Sequence, residues 1–123
     1  MEIVFTKSAP MPIGPYSQAV FVGNLLYSSG QIAVDNLNDS IEIQTKAVCE
    51  NINEILKAKG LLLSDVVKTT CFLKDMSDFS KFNETYAQYF SHNPARSCVA
   101  VKELPKGALV EIEVIAEKGD YNE

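Results

Sequence analysis

From Ser40 to Lys59 the apolar residues Ile41, Val48, Ile52, Ile55 and Leu56 recur at three-, four- and seven-residue intervals, which marks one stripe of a helix. Ser40 or Asp39 supplies its N-cap and Gly60 its stop. A second helix follows Ser77 or Asp78, with Phe79, Phe82, Tyr86, Tyr89 and Phe90 on one face, a stripe that reads as core packing. The strands show a shorter period. Ser17 to Val22 and Leu25 to Ser29 read as two of them, joined at Gly23-Asn24 by a hairpin turn, and Val66 to Lys74 as another. Arg96 to Glu103 and Ala108 to Glu117 are the last two, separated by the turn Leu104-Pro105-Lys106-Gly107.

In the final strand Ala108, Val110, Ile112, Val114 and Ala116 form one face, which must carry the helices, and Leu109, Glu111, Glu113, Ile115 and Glu117 form the other. In the preceding strand Val99 and Val101 alternate against Arg96, Cys98, Ala100 and Lys102, so the same segregation places Arg96 with Glu111 on the helix-free face. With the extended segment before the proline-rich loop Ala9 to Pro15 as a first strand, the order β-β-β-α-β-α-β-β predicts an α+β fold with both helices on one side of the sheet. Its other face, with Leu109, Ile115, Cys98 and Ala100 beside Glu111 and Arg96, is too apolar for open water, so a second subunit is expected to cover it.

A length of 123 residues (13.6 kDa) with 46% hydrophobic and 22% charged residues fits one globular domain over residues 1–123. Apolar runs such as Leu61 to Leu63 and Cys98 to Val101 fall far short of the ~20 residues a membrane helix needs. The start, Met-Glu-Ile-Val-Phe-Thr-Lys, lacks the pattern of a secretory signal, so the expected location is the cytoplasm. A net charge of −5 without a basic run counts against nucleic acid as the main ligand. Cys49, Cys71 and Cys98 lack a CxxC spacing and suit reduced thiols. His92, in Ser91-His92-Asn93-Pro94, reads as an exposed loop histidine, and no metal site is expected.

Arg96 and Glu111 are the leading chemical candidates, on strands expected to be neighbours. A guanidinium holds a carboxylate through two parallel hydrogen bonds, and a carboxylate orients or deprotonates water. The competing structural reading is an ion pair across an interface. Tyr16 follows Pro15 in the rigid loop Ala9-Pro10-Met11-Pro12-Ile13-Gly14-Pro15, which can hold its ring over a pocket or simply anchor the loop. Ser29 and Gly30 end a strand, where glycine permits close approach of backbone to ligand or serves as a turn. Cys98 shares the Arg96 face but has no histidine neighbour in sequence to make it a nucleophile.

Gly14-Pro15-Tyr16-Ser17-Gln18-Ala19-Val20, Ser29-Gly30-Gln31-Ile32, Gln44-Thr45 with Asn51-Ile52, and above all Pro94-Ala95-Arg96-Ser97-Cys98-Val99 with Leu104-Pro105-Lys106-Gly107 and Glu111-Ile112-Glu113 closely resemble the RidA/YjgF family. The likeness runs from about Lys7 to Ala116. It implies a chorismate-mutase-like α+β fold assembled as a homotrimer, with ligand pockets between subunits. It further implies cofactor-free deamination of 2-imino or enamine acids, chiefly 2-iminobutanoate and 2-iminopropanoate, to 2-keto acids and ammonia. Arg96 falls at the family's carboxylate-gripping arginine and Glu111 at the glutamate associated with water activation. Tyr16, Ser29, Gly30, Asn83 and Cys98 fall at pocket-lining positions.

Two departures from the family pattern stand out. The stretch between Asp35 and Gln44 is shortened. Between Phe90 and Pro94 only Ser-His-Asn remains, without the aromatic often placed before that proline. The second bears on pocket shape, not on the anchor. Some family members are described as ribonucleases or translation inhibitors, a role the acidic balance here opposes. A non-catalytic carboxylate sensor built on Arg96 is a third reading.

Overall fold

The computed structural model describes residues 1–119. Six strands, β1 (Glu2–Val4), β2 (Ala19–Val22), β3 (Leu25–Ser28), β4 (Val66–Leu73), β5 (Ala95–Ala100) and β6 (Val110–Glu117), and two helices, α1 (Ile41–Lys57) and α2 (Phe79–Tyr89), follow the predicted order. The strands form one mixed sheet, β1-β2-β3-β6-β4-β5, antiparallel except where β5 runs parallel to β4. Among the described residues no helix is long and apolar enough to cross a membrane.

The helices pack as their apolar stripes dictate. Ser40 caps α1, its hydroxyl accepting from the Ile43 N–H at 3.3 Å. Gly60, at φ +73°, then turns the chain into Leu61. Val48, Ile52, Ile55 and Leu56 are buried against Val110, Ile112, Val114 and Ala116 of β6, the face read from sequence as the helix-bearing one. Phe82, Tyr86 and Phe90 complete the core, with ring centroids 5.5 and 4.7 Å apart along the row. The start of α2 differs from expectation. Asp75, not Ser77 or Asp78, makes the capping bond, because a short 3-10 turn over Met76–Asp78 precedes the helix and takes the cap with it.

Two sequence expectations fail at β5, and both bear on function. The strands carrying Arg96 and Glu111 are not neighbours, because β4 lies between them: the β4–α2–β5 crossover sets β5 parallel on one side of β4, and β6 takes the other. Nor do the two residues share a face. Thr69 opposes both Arg96 and the helix-facing Val114, whereas Phe72 opposes both Val99 and Glu111. Arg96 and Cys98 therefore project toward the helices, and Val99 projects from the open face with Glu111.

The alternation misled because it assumes that the more apolar side of a strand meets the core. Here the helix-free face itself carries exposed apolar residues among its charged ones. Ile3, Val22, Tyr27 and Val99 are 62, 49, 40 and 48% exposed, and all four belong to that face by register. Exposed apolar residues grouped on one sheet face are the kind of surface that marks an interaction site.

Candidate functional site

Glu111 sits in a cavity of about 560 Å³ on the helix-free face, shared with Tyr16, Ser29, Gly30, Gln31, Lys106 and Glu113. A backbone bridge sets its geometry: the Gln31 N–H donates to the Ile112 carbonyl at 2.9 Å, and the Ile112 N–H returns to Gln31 at 3.2 Å. That bridge presses residue 30 against the neighbouring Glu111. A Cβ at Gly30 would stand 2.7 Å from Glu111 Cδ and closer still to Oε2, so any larger residue here must push the Glu111 carboxylate aside.

The proline-rich loop is held by one buried side chain. Gln18 donates through Nε2 to the carbonyls of Thr6 and Pro10 at 3.0 and 2.9 Å, and its Oε1 accepts from the Thr6 N–H at 2.8 Å. The Tyr16 hydroxyl accepts from the Ile13 N–H at 3.2 Å, which fixes the half-exposed ring at the cavity wall. Ser29 donates its hydroxyl to the Ser17 carbonyl.

Burial pushes the Glu111 carboxyl above its ordinary range, and the Glu113 charge two residues along the same face pushes it further. Among the described residues Glu111 makes no ion pair that would pull it back. The folded chain thus binds this proton more tightly than the unfolded chain. Ionised Glu111 lowers stability above its folded pKa, and the penalty is relieved as pH falls through that pKa. Glu113→Gln should move the Glu111 titration to lower pH, read by NMR of the side-chain carboxyl.

Arg96 occupies a separate hollow of about 330 Å³ with Asn83, Tyr86, Asn93 and Pro94. It donates from Nη1 to Asn83 Oδ1 at 2.8 Å, and its guanidinium carbon lies 4.9, 5.5 and 5.9 Å from the ring centroids of Tyr86, Phe79 and Phe82. Tyr86 is pinned in turn by a 2.7 Å bond between its hydroxyl and that of Thr69. The guanidinium is thus oriented by one amide and three rings, yet stays exposed with donors to spare. Cys98 stands two residues on along the same strand face, half-buried. Burial raises its thiol pKa, against an opposing pull from Arg96. His92 is exposed, as expected, with Nε2 2.8 Å from the Val66 carbonyl. Among the described residues no cluster of three or more His, Cys, Asp or Glu side chains could hold a metal.

The residues singled out from the sequence therefore fall into two groups. Tyr16, Ser29, Gly30 and Glu111 come together in one cavity, Asn83 and Arg96 in another with Cys98 nearby, and the sheet separates the two. Sequence reasoning missed Gln18, Gln31 and the ring platform beneath Arg96. The aromatic spacing had exposed the platform only as core. Glu113 is legible from the sequence only as a residue on the same strand face as Glu111.

A mixed sheet backed by two helices, with a glutamate in a cavity on one face and an arginine in a hollow on the other, defines a small α+β protein. The chain belongs to the Endoribonuclease L-PSP family, also called YjgF/RidA, whose family model matches residues 6–118. It is 54% identical to a RutC family protein of Sulfurisphaera tokodaii, over 97% of this chain and 100% of that one. It is 45% identical to the 2-iminobutanoate/2-iminopropanoate deaminase of Salmonella typhimurium, over 94 and 96% of the two chains. Among solved structures it resembles E. coli TdcF with bound serine, with a TM-score of 0.92 and 38% identity, covering 97% of this chain and 100% of TdcF.

Proposed function

We propose that the protein is a hydrolytic deaminase of small 2-imino acids, 2-iminobutanoate and 2-iminopropanoate foremost, working as a homotrimer whose pockets lie between subunits. The observation that carries the reading is the divided site. An exposed, oriented guanidinium and a half-buried, unpaired carboxylate are the two groups the chemistry needs, and they lie on opposite faces of one sheet. A closed ring of identical subunits brings the Arg96 face of one against the Glu111 face of the next. The same contact covers the exposed apolar residues of the open sheet face. The likeness to the Salmonella deaminase supports the reaction class.

In the proposed pocket Arg96 grips the substrate carboxylate with its planar fork, backed by Asn83. The electrophilic C=N carbon then faces Glu111, which takes a proton from water as that water adds. The nitrogen is protonated, and the resulting carbinolamine expels ammonia to leave the 2-keto acid. Imines hydrolyse unaided in water, so positioning and proton transfer suffice without a covalent intermediate or a cofactor. A raised Glu111 pKa suits this work, since a base is most effective with its pKa near the working pH.

The family's ribonuclease description does not fit this chain as well. Its charge of −5 offers no basic track for phosphates, and its one histidine makes no catalytic pair. The test is turnover of freshly generated 2-iminobutanoate by purified protein. Accelerated 2-ketobutyrate release is expected, and saturable carboxylate binding without turnover would instead favour a sensor.

Two further results are expected. Sedimentation at micromolar concentration should give about three times the 13.6 kDa chain mass, and a stable monomer would leave the half-sites apart. Gly30→Ala should push the Glu111 carboxylate aside while sparing Arg96. A misplacement of ~1 Å costs turnover roughly 100-fold, with 2-ketobutyrate affinity changed far less, as steady-state kinetics and calorimetry would show.

A further inference from the structure

We propose that Cys71 and Cys98 are an oxidisable thiol pair that closes to a disulfide between β4 and β5 when the protein meets a hydroperoxide. The two cysteines are register partners on adjacent parallel strands and project from the same face. Their Cα atoms therefore stand at the ~4.8 Å spacing of neighbouring strands, inside the ~4.4–6.8 Å that a disulfide bridges. β5 is the outermost strand of the sheet, bonded to β4 alone, so it can yield by the small shift that closure needs without dragging a third strand.

Access and charge set the order of events. Cys98 is half-buried whereas Cys71 is fully buried, so an oxidant meets Cys98 first. Arg96 favours the Cys98 thiolate against the effect of burial, while burial holds the Cys71 thiol up at about 12. Cys49 lies buried within α1, has no strand partner, and stays reduced.

The Cys98 thiolate attacks one oxygen of the hydroperoxide. The O–O bond breaks, and the departing alkoxide or hydroxide takes up a proton, leaving Cys98 as a sulfenic acid. The Cys71 sulfur then attacks the Cys98 sulfur; the S–S bond forms as the S–O bond breaks, and hydroxide leaves with the Cys71 proton as water. Two thiols have lost two electrons, and the hydroperoxide has been reduced to an alcohol, or water, and water. The bridge locks β5 to β4 two residues from Arg96. On the deaminase reading above, it therefore slows turnover until a reductant reopens it.

The experiment treats the full-length protein with hydrogen peroxide, alkylates the remaining thiols after denaturation, and maps peptides without reduction. The expected map joins the Cys71 and Cys98 peptides within one chain and leaves Cys49 alkylated, with free thiols falling from three per chain to one and returning with dithiothreitol. In Cys71→Ala the Cys98 sulfenic acid has no partner and should be captured by dimedone. If that variant fails to fold, the map of the parent protein still decides. Three results overturn the inference: Cys98 oxidised while Cys71 stays alkylatable, a bridge between chains, or no loss of thiol. Because the map needs no substrate, a protein inactive on imines but bridged at Cys71–Cys98 would defeat the deaminase reading and leave this inference standing.

Discussion

Arg96→Lys should bind 2-ketobutyrate about 10- to 150-fold more weakly than the parent protein, the loss expected from removing one charge-assisted contact of ~1.5–3 kcal/mol. A lysine keeps the positive charge but offers a point donor in place of the planar fork. It also loses the stacking on Tyr86, Phe79 and Phe82 that now orients the guanidinium. Arg96→Ala should go further and nearly abolish turnover. Because Arg96 is exposed and, among the described residues, its one side-chain hydrogen bond is to Asn83, both variants should fold normally. Calorimetric titration with 2-ketobutyrate, alongside thermal melts, checks the separation. If Arg96 were only an interface ion pair, trimer stability would fall and ligand affinity would not.

Glu111→Gln should show the opposite division. The amide fills the same space against Gly30, so carboxylate binding should survive. It cannot accept the proton from water, and turnover should fall by ~100-fold or more. The parent should lose turnover as pH drops through the raised Glu111 pKa, because the ionised form is the working base, and the glutamine variant should lack that acid limb. Steady-state pH profiles of both proteins read this directly.

The period of the hydrophobic residues was enough to place both helices and β2 to β6 in their right order, because both helices and β6 bury one face in a single core. Ser40 was legible as a cap because its side chain bonds locally. The side on which Arg96 lies was not legible. It depends on β5 pairing parallel to β4, and no residue within Arg96 to Glu103 encodes that partner. The site candidates rest on the family resemblance, whereas parity placed Arg96 on the wrong face. The error concealed the most informative feature of the molecule, that Arg96 and Glu111 lie on opposite sides of its sheet. Gln18 escaped notice for a related reason: its role is to bond the carbonyls of Thr6 and Pro10, partners that only the folded loop brings near.

Subunit mixing tests the divided site most directly. Arg96→Ala and Glu111→Gln proteins, each inactive alone, would be unfolded together and refolded as mixed trimers before the imine assay. If each pocket takes Arg96 from one subunit and Glu111 from its neighbour, random mixing in a closed ring restores both groups to about a quarter of the pockets, and activity should return to about that fraction of the parent's. Mixed trimers that remain as inactive as the separate variants would contradict the account, because Arg96 and Glu111 would then have to act from the same chain.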